Sequence, residues 1–526
     1  MARINTNISS LIAQRNLAAS NADLNVHLRR LATGLRLNRG ADDPAGLIAS
    51  ERLRSNLRGL EQGVKNSERA SGVIATTEGS LAEVSDLLNS IKSLVIEAAN
   101  TGGFSPAEVD ANQRQIDSAI DSITRISNTA SFADLNLLNG ELGYKLSGVA
   151  SSAITKAAVN AVQFLNRPDV QVDVQVVESA QQGQLFMRGD FGSNPPFNPP
   201  GVDGQLLSTV TLRIGGPDGV QELTFVSGTS IDSVVTAVNA LAGSTGVQAA
   251  RVNPANPAGL SAGVRFFSSE FGSNPFVSVE KVGSSGAFFD QSLFRLINNG
   301  DIATLDYTAV GTIVEAAKVD SGKDIVALVN GALATGRGLA LSTKTPELDV
   351  DLQLSQAFAT SVSGTPSSFR ITGGGSLYQL GPKVNATQQV SLGIQSIASS
   401  RLGGTLNTLA AGGTEFQFLS SLKSGGANSL SGKGFINASR IIDSSIDEVA
   451  TLRGRLGAFE RNTLQTNIRS LQAAVENVTA ANSQIRDADF AAETSALTRA
   501  QILNSAGTTV LATANTTAQN VLQLLG

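Results

Sequence analysis

Apolar residues near both ends of the chain recur at alternating steps of three and four. Near the N-terminus this stripe consists of Ile4, Ile8, Leu11, Leu24, Leu28, Leu31 and Leu35. Near the C-terminus it consists of Val510, Ala514, Thr517, Val521 and Leu524. A narrow stripe of this kind is typical of a helix that pairs with another helix in a coiled coil. Each stripe is the predicted partner of the other, so the chain should leave and return along one antiparallel bundle.

The same spacing extends the helical prediction inward from the N-terminus. It continues through Leu53, Leu57, Leu60, Val64, Leu81, Val84, Leu88, Ile91 and Val95. This pattern predicts one helix from about 44 to 99. A second helix should begin at Ser105, because the following Pro106 and Glu108 complete a capping box, and should end near Ser127.

Two further features complete the outline of the helical parts. Asn139 followed by Gly140 predicts a tight hairpin turn after the second helix. Toward the C-terminus a further helical pattern runs through Ile442, Ile446, Val449, Leu452, Leu456, Phe459, Leu464, Ile468, Leu471, Val475 and Val478. Its steps are three and four, except for one step of five before Leu464.

The run GLRLNRGADDPAGL, residues 34–47, poses a choice between a binding site and a helix start. Asp43 followed by Pro44 is typical of an N-cap and the first residue of a helix. Gly34 and Gly40 would permit the preceding bend. A metal site at Asp42 and Asp43 would need more oxygen or imidazole ligands, and no spacing like that of an EF-hand follows. We therefore predict that Asp43 and Pro44 form a helix cap.

The composition narrows the classes of function. The chain has 526 residues, enough for two to four domains, but no Cys, no Trp, one His and three Tyr. These counts leave few of the usual catalytic or metal-binding groups but do not exclude an enzyme. We expect no enzymatic activity, no catalytic residues, no metal and no cofactor. The net charge of −5 and the lack of a basic block argue against nucleic acid and membrane partners. The opening MARINTNISSLIAQRN lacks the continuous apolar core of a cleaved signal peptide.

The middle of the chain, residues 149–430, differs from both ends. It holds 12 of the 14 prolines and 16 of the 21 phenylalanines. TVTLRIGG, QELTFVSG and FVSVEKVG read as strands separated by turn residues. SIDSVVTAVNAL, residues 230–241, predicts a short amphipathic helix, and residues 320–336 look like a second, weaker copy of the same pattern. We expect a β-rich region of one or two subdomains with a few short helices.

Several blocks resemble the terminal regions of bacterial flagellins. These are MARINTNISSLIAQRNL, LATGLRLNRGADDPAGLIASERLRSNLRGL, ATTEGSLAEVSDLLNSIKSLVIEAAN, SQIRDADFAAETSALTRAQIL and TTAQNVLQLLG. The resemblance covers about 140 residues at the start and about 90 at the end, in the family's order. The segment containing the 230–241 helix also resembles a small strand-and-helix module inserted in flagellins and hook proteins.

The resemblance implies a structural subunit that self-assembles into the flagellar filament for swimming motility. Flagellins are exported unfolded, without a cleaved signal, by the flagellar type III export apparatus with an export chaperone. They polymerise at the tip of the filament, where cap and hook-filament junction proteins are further partners. The implied location is extracellular. The family's terminal segments are disordered in the monomer and pair in the filament, so the stripes at both ends, including Ile4, Val521 and Leu524, are the predicted polymerisation interface.

These inferences predict an α+β fold with three domains. Residues 1–43 with 487–526 would form a terminal helical inner-tube domain. Residues 44–148 with 431–486 would form a helical bundle with a small β-hairpin. Residues 149–430 would form a variable, surface-exposed, β-rich insertion at the far end of a long antiparallel coiled-coil bundle formed by both chain ends.

A metallopeptidase of the kind that some flagellins carry is excluded, because it needs a His-Glu-x-x-His motif and the only histidine is His27, which is expected to flank the seam or face solvent. Other functions remain as alternatives. A carboxylate-pair hydrolase is recognised by geometry rather than spacing. A hook-filament junction protein shares the terminal pattern. A minor filament subunit with an adhesive or O-glycosylated outer domain would fit the many Ser and Thr residues.

The resemblance also implies a patch for a vertebrate innate immune receptor. In enteric flagellins the patch corresponds to Asn89 through Leu94 with a facing position at Gln115, and an arginine and a glutamate dominate it. This chain has Ser90 in place of the arginine and Gln115 in place of the glutamate. Both replacements remove a charge, so we predict weak receptor binding. We expect Ser90 and Lys92 to point away from the bundle.

Overall fold

The computed structural model describes residues 7–100, 102–103, 105–164, 167–188, 206, 209–252, 263–282, 293–296, 314–362, 364–408, 414–432 and 434–525. Its helices, in chain order, are α1 (Ile8–Thr33), α2 (Pro44–Ala99), α3 (Pro106–Thr129), α4 (Ile231–Ala240), α5 (Ala242–Thr245), α6 (Gln356–Ala359), α7 (Phe435–Phe459), α8 (Gln465–Arg486) and α9 (Phe490–Leu525). The long helices belong to the two ends of the chain and the short ones to the middle.

The strands occupy the middle of the sequence. In chain order they are β1 (Ser131–Phe132), β2 (Leu135–Asn136), β3 (Tyr144–Ser147), β4 (Ile154–Val162), β5 (Val170–Glu178), β6 (Gln184–Arg188), β7 (Val210–Gly216), β8 (Gly219–Phe225), β9 (Val247–Val252), β10 (Gly263–Ser268), β11 (Phe276–Val282), β12 (Leu293–Leu296), β13 (Val314–Ala316), β14 (Val319–Ser321), β15 (Val326–Val329), β16 (Ala332–Leu333), β17 (Thr335–Arg337), β18 (Ala340–Lys344), β19 (Leu348–Leu354), β20 (Ser367–Gly374), β21 (Ser376–Gln379), β22 (Gln389–Leu392), β23 (Thr405–Thr408) and β24 (Thr414–Gln417). The α+β class predicted from the sequence is therefore confirmed.

The chain divides into two compact units. Unit 1 comprises Met1–Gly72, Tyr378–Gln389 and Gly457–Gly526. Unit 2 comprises Val73–Leu377 and Val390–Leu456. These boundaries differ from those of the three domains expected from the sequence, and the three-domain division stays a prediction.

In unit 1, α1 and α9 lie side by side and run antiparallel. Asn7, just before α1, donates from Nδ2 to the carbonyl oxygen of Ala514, toward the end of α9, at 3.0 Å. Just beyond the other end of α1, Leu35 forms an isolated antiparallel bridge with Asp487, which precedes α9. The two ends of the sequence thus pair as helices over the full length of α1.

The residues that α1 buries differ from its predicted stripe. Within this helix the buried side chains are those of Ser10 and Ala13. Half-buried stripe residues are Leu24, Leu31 and Leu35, and exposed ones are Ile8, Leu11 and Leu28. Ile4 and the side chains of Val521 and Leu524 lie outside the described residues. Small side chains let two helices approach closely, so the contact face need not carry the largest apolar residues.

The sequence located α2 and α3 closely. α2 runs from 44 to 99 as predicted, and its residues Leu81, Val84, Leu88, Ile91 and Val95 are each at most 2% exposed. The capping box at the start of α3 is confirmed, since the backbone N–H of Ser105 donates to Glu108 Oε2 at 2.7 Å and the Ser105 side chain accepts from the Glu108 backbone. α3 ends at Thr129, two residues beyond the expected position.

The hairpin turn predicted at Asn139 and Gly140 is wrong. The hairpin after α3 consists of β1 and β2, and its two turn residues are Ala133 and Asp134, both with positive φ (49° and 65°). Two consecutive residues of positive φ match the twist of paired strands, and Asn-Gly is only the commonest way to supply them. Asn139 instead lies in the loop after β2, where its Oδ1 accepts from the backbone N–H of Glu141 at 2.9 Å.

The middle of the chain contains two β-rich cores in unit 2. In the first, the sheet β16-β15-β5-β20-β3 and the sheet β17-β18-β19-β4 contribute to one cluster that includes Val172, Val174, Val350 and Leu352. In the second, the sheet β13-β12-β6-β10-β9 and the sheet β14-β11-β7-β8 enclose a cluster with α4 that includes Leu212, Val234, Val264 and Val279. All of the described pairings in these sheets are antiparallel.

The two predicted copies of a strand-and-helix pattern have different outcomes. The helix expected over 230–241 is α4, capped by Ser230, whose Oγ accepts from the backbone N–H of Ser233 at 3.2 Å. The helix suggested for 320–336 is wrong, because these residues contribute to β14, β15, β16 and β17. Asn330 and Gly331 both have positive φ and turn the chain between β15 and β16. Asn-Gly is the strongest short hairpin signal, and it outweighs a weak helical spacing.

The step of five in the C-terminal pattern coincides with a π-helical turn. Glu460–Leu464 forms this turn between α7 and α8. A π turn takes one residue more than an α turn, so it absorbs the extra residue within the helix. The irregular spacing before Leu464, which is fully buried, therefore reports a real feature of the backbone.

Candidate assembly interface

The loop between α1 and α2 is built by backbone hydrogen bonds to two carboxylates. Asp43 Oδ1 accepts from the backbone N–H of Gly46 at 2.9 Å, which makes Asp43 the N-cap of α2, and Pro44 is the first helical residue. Asp42 Oδ2 accepts from the backbone N–H groups of Asn38 and Arg39. These hydrogen bonds, with that from Arg39 the stronger in effect, hold the pKa of Asp42 below its ordinary value. Both carboxylates are therefore occupied in shaping the chain.

The two glycines of this loop have different roles. Gly34 has φ of +69° and ends α1 in the left-handed conformation that glycine adopts readily. Gly40 does not have a positive φ. Of the two glycines expected to permit the bend, Gly34 therefore has the backbone conformation that favours glycine.

Removing the cap should weaken the start of α2. We expect Asp43→Ala to lower the free energy of unfolding by about 0.5 to 2 kcal/mol, because the Gly46 N–H loses its acceptor. Urea unfolding followed by circular dichroism measures the change. Pro44→Ala is the matched control, since it leaves the carboxylate in place. A specific metal affinity that disappears in Asp43→Ala, seen by calorimetry, would contradict the capping role.

A cluster of ionisable side chains joins α1 to α9. His27 Nδ1 lies 2.5 Å from Glu493 Oε2, and Arg30 Nη1 donates to Glu493 Oε1 at 3.0 Å. Glu493 is only 9% exposed. Burial raises the pKa of Glu493, but the hydrogen bonds from His27 and Arg30 outweigh it and hold the pKa below its ordinary value. His27 therefore faces the helix pair rather than solvent.

The pair α1 and α9 also carries an unusual number of exposed apolar side chains. On α1 these are Ile8, Leu11, Ile12 and Leu28, and on α9 they are Phe490, Ile502, Leu503 and Val510. Single exposed apolar residues are common on protein surfaces, whereas sets of them on neighbouring elements mark interaction sites. α1 and α9 thus bury little between themselves and leave apolar surface free for a partner.

Three family models match the chain. The bacterial flagellin N-terminal helical region matches residues 4–142, and the bacterial flagellin C-terminal helical region matches residues 439–525. The flagellin hook IN motif matches residues 211–256, which include β7, β8, α4 and β9. The chain is 29% identical to the B-type flagellin of Pseudomonas aeruginosa and 27% identical to a flagellin of Salmonella typhimurium, and each alignment covers 99% of both chains.

The chain belongs to the bacterial flagellin family. Flagellins are structural proteins, and this flagellin is a subunit of the flagellar filament, outside the cell, with a role in motility. Both terminal helical regions of the family are present, and the match to the hook IN motif confirms the resemblance of the α4 segment to a module of flagellins and hook proteins. None of the described helices of this flagellin combines the length and the apolar character needed to cross a membrane.

The residues of the implied receptor patch lie on α2 and α3 of the flagellin. Asn89, Ser90 and Gln115 are exposed and Leu94 is half-buried. The expectation that Lys92 points away from the bundle is wrong, because its Nζ lies 2.6 Å from Asp443 Oδ1 on α7. Lys92 forms an ion pair with an aspartate of another helix, and the spacing of residues along α2 alone does not predict such a pair.

Proposed function

We propose that this flagellin self-assembles through α1 and α9 into a helical homopolymer. The observation that carries the proposal is the poor burial of α1: this helix of 26 residues buries only Ser10 and Ala13. Ordering a residue costs about 1 to 2 kcal/mol, and burying a large apolar side chain returns about 1.5 to 3 kcal/mol. The helix pair alone therefore lacks enough burial to offset its own ordering, and neighbouring subunits supply the rest.

The proposed polymerisation interface combines the stripes with the surface they leave uncovered. Its members on α1 and just after it are Ile8, Leu11, Leu24, Leu28, Leu31 and Leu35, and Val510 is its described member on α9. Ile8, Leu11, Leu28 and Val510 are exposed in the monomer and so are free to contact another copy. Ile4, Val521 and Leu524 complete the proposed set by their place in the sequence.

The further parts of the proposal follow the family. The flagellin is exported unfolded by the type III export apparatus with its chaperone, without a cleaved signal peptide, and it assembles at the tip with cap and hook-filament junction proteins as neighbours. A cysteine-free chain without disulfides suits passage in an unfolded state. In this proposal the two β cores form the outward-facing part of the subunit.

Seeded polymerisation tests the function directly. Purified monomer is added to short filament fragments of the same protein, and growth is followed by electron microscopy and light scattering. We expect elongation from the fragment ends at micromolar concentration, because assembly covers the exposed apolar residues of α1 and α9. A monomer that never elongates the fragments, while remaining folded by circular dichroism, would refute self-assembly through these helices.

Binding to the innate immune receptor should be weak. Ser90 and Gln115 replace charged residues, and losing a hydrogen-bonded ionic contact at an interface can cost about 2 kcal/mol or more, about thirtyfold in affinity. A receptor reporter assay should give a half-maximal response at a concentration at least about 30 times that of an enteric flagellin. The double variant Ser90→Arg with Gln115→Glu is the matched control and should recover much of the difference. Equal potency of the unmodified protein and an enteric flagellin would show that the patch does not depend on these charges.

A further inference from the structure

A loop from the middle of the sequence packs on the helices of unit 1. This segment, Tyr378–Gln389, which we call the strap, belongs to unit 1, whereas the chain on both sides of it belongs to unit 2. Asn66 on α2 donates from Nδ2 to the carbonyl oxygen of Gln379 at 3.0 Å. Asn467 on α8 donates from Nδ2 to the carbonyl oxygen of Leu380 at 2.9 Å. The strap is thus held by amide side chains of two helices.

Two glycines one turn apart on α2 let the strap approach the helix closely. A Cβ added at Gly59 would lie 2.9 Å from Pro382 Cβ, and one added at Gly63 would lie 3.0 Å from the Leu380 carbonyl oxygen. The Cβ at Gly59 would displace Pro382, and the Cβ at Gly63 would lie closer to its neighbour than most Cβ atoms do. Leu380 itself is buried. Leu380 and Pro382 of the strap therefore pack directly against α2 at the two positions that lack a side chain.

The strap is also ordered by its own side chains. Gln379 Nε2 donates to the carbonyl oxygens of Gly381 and Lys383, both at 2.8 Å. Gln388 Oε1 accepts from the backbone N–H of Lys383 at 2.7 Å, and Asn385 Oδ1 accepts from the backbone N–H of Gln388 at 3.0 Å. Three amide side chains thus hold the loop in one conformation on both sides of its tip.

This ordered loop presents an apolar residue to solvent. Val384, at its tip, is 86% exposed, more than any other exposed large apolar residue in the described part of the chain. An exposed valine alone would mean little. Fixing the backbone around it costs conformational entropy, however, and a preorganised loop lowers the cost of binding a partner. The combination of a loop held by its own hydrogen bonds and an apolar tip indicates a contact site.

We propose that the tip of the strap contacts a second copy of this chain in the filament, with Val384 buried against the neighbouring subunit. The inference rests on the proposed self-assembly. A second copy is the favoured partner because the strap belongs to unit 1, the unit that also contains α1 and α9. The exposed apolar residues of these two helices are the ones that the proposed assembly buries. The strap gives the middle region of the sequence a part in assembly, beyond the two terminal helices.

Cysteine labelling tests the contact, because the chain has no natural cysteine. Val384→Cys carries one thiol, whose reaction rate with a maleimide is measured in the monomer and in seeded filaments. We expect the rate to fall at least about tenfold on assembly, as for a side chain that becomes buried. The matched control is Val226→Cys, at a valine of unit 2 that is 64% exposed, and its rate should change little. An equal rate in monomer and filament for Val384→Cys, or an equal fall for both variants, overturns the proposal.

Assembly of charged variants gives an independent readout. Val384→Asp should raise the critical concentration for filament growth at least about tenfold, since a buried carboxylate without a partner is costly. Val226→Asp should leave the critical concentration unchanged, and both variants should melt as the wild type does. An unchanged critical concentration for Val384→Asp refutes the contact. Failure of the wild type to form filaments would instead refute the proposed self-assembly, so the two ideas fail separately.

Discussion

Deletion of residues 1–43 or of residues 487–526 should give a folded, soluble monomer that no longer forms filaments. Each deletion removes one partner of the α1 and α9 pair and the exposed apolar residues that it carries. The two β cores and the part of α2 from Val73 onward belong to unit 2, which neither deletion touches. The loss of assembly should therefore be complete while most of the folded structure remains.

Sedimentation and electron microscopy after seeding measure assembly, and calorimetry measures folding. We expect no filaments at up to about ten times the wild-type critical concentration, which corresponds to a loss of more than about 1.4 kcal/mol per added subunit. The quadruple variant Ile8→Ser, Leu11→Ser, Ile502→Ser and Leu503→Ser offers a milder comparison, because it keeps both helices and changes only exposed positions. Normal filaments from either truncated chain would rule out the terminal helices as the interface.

Glu493→Gln should open the α1 and α9 pair more than any other single change of a charged side chain considered above. Glu493 accepts from His27 and Arg30 in a site that is 9% exposed. Hydrogen bonds to a charged group contribute about 1.5 to 3 kcal/mol, and removing the charge leaves both partners poorly paired. Hydrogen exchange of α1 and α9 amides in seeded filaments, where neighbouring subunits order the pair, measures the local opening, since different parts of a protein open with different free energies.

The same cluster predicts a dependence on pH. The folded-state pKa of Glu493 is lowered from its ordinary value of 4.5. Its contribution to stability is therefore fully present above pH 4.5 and is lost as the pH falls through the lower folded-state pKa. Protection factors of the α1 and α9 amides, which allow for the intrinsic slowing of exchange in acid, should fall in this acid range in the wild type and change less in Glu493→Gln.

Glu51→Gln is a control for this prediction in the same unit. Glu51 pairs with Arg54 at 2.6 Å, but its side chain is 54% exposed. Exposed ion pairs contribute about 0 to 1 kcal/mol, so this variant should exchange nearly as the wild type does. If Glu51→Gln and Glu493→Gln open the helix pair equally, burial of the Glu493 cluster is not the cause.

The sequence located helix boundaries well where local chemistry sets them. Asp43 and Pro44 start α2 and Ser105 caps α3, because a cap is made by residues within four positions of one another. The buried stripe of α2 was seen only in part. Between Val64 and Leu81 it continues through Ser67, Ala70, Ile74 and Thr77, all buried. Apart from Ile74 these residues are small or polar, and a search for large apolar residues passes over such residues on a buried face.

The contacts that depend on distant residues were not predicted. On α1 the stripe suggested Ile8, Leu11 and Leu28 as contact residues, but the face that packs is decided by the surface of α9. His27 and Glu493 are 466 residues apart in sequence, and nothing in the local pattern pairs them. Only the prediction that the two ends form one antiparallel pair would have brought these side chains within reach of each other.

The strap was missed for the same reason. Its sequence, YQLGPKVNATQQ, is rich in polar and turn residues and reads as an ordinary loop. The pair Gly59 and Gly63 on α2 is the sequence signal that could have located the contact site of the strap. Glycine destabilises the interior of a helix, so two of them one turn apart suggest that another segment packs closely there. Pro382 and Leu380 of the strap make this close approach.

The single histidine makes this flagellin its own spectroscopic reporter. Every imidazole resonance in an NMR spectrum of the protein must come from His27, which lies where α1 meets α9. Its chemical shifts can therefore follow the opening, protonation and partner exchange of the terminal helices without any label or resonance assignment, in a monomer of 54.2 kDa whose backbone spectrum would be crowded.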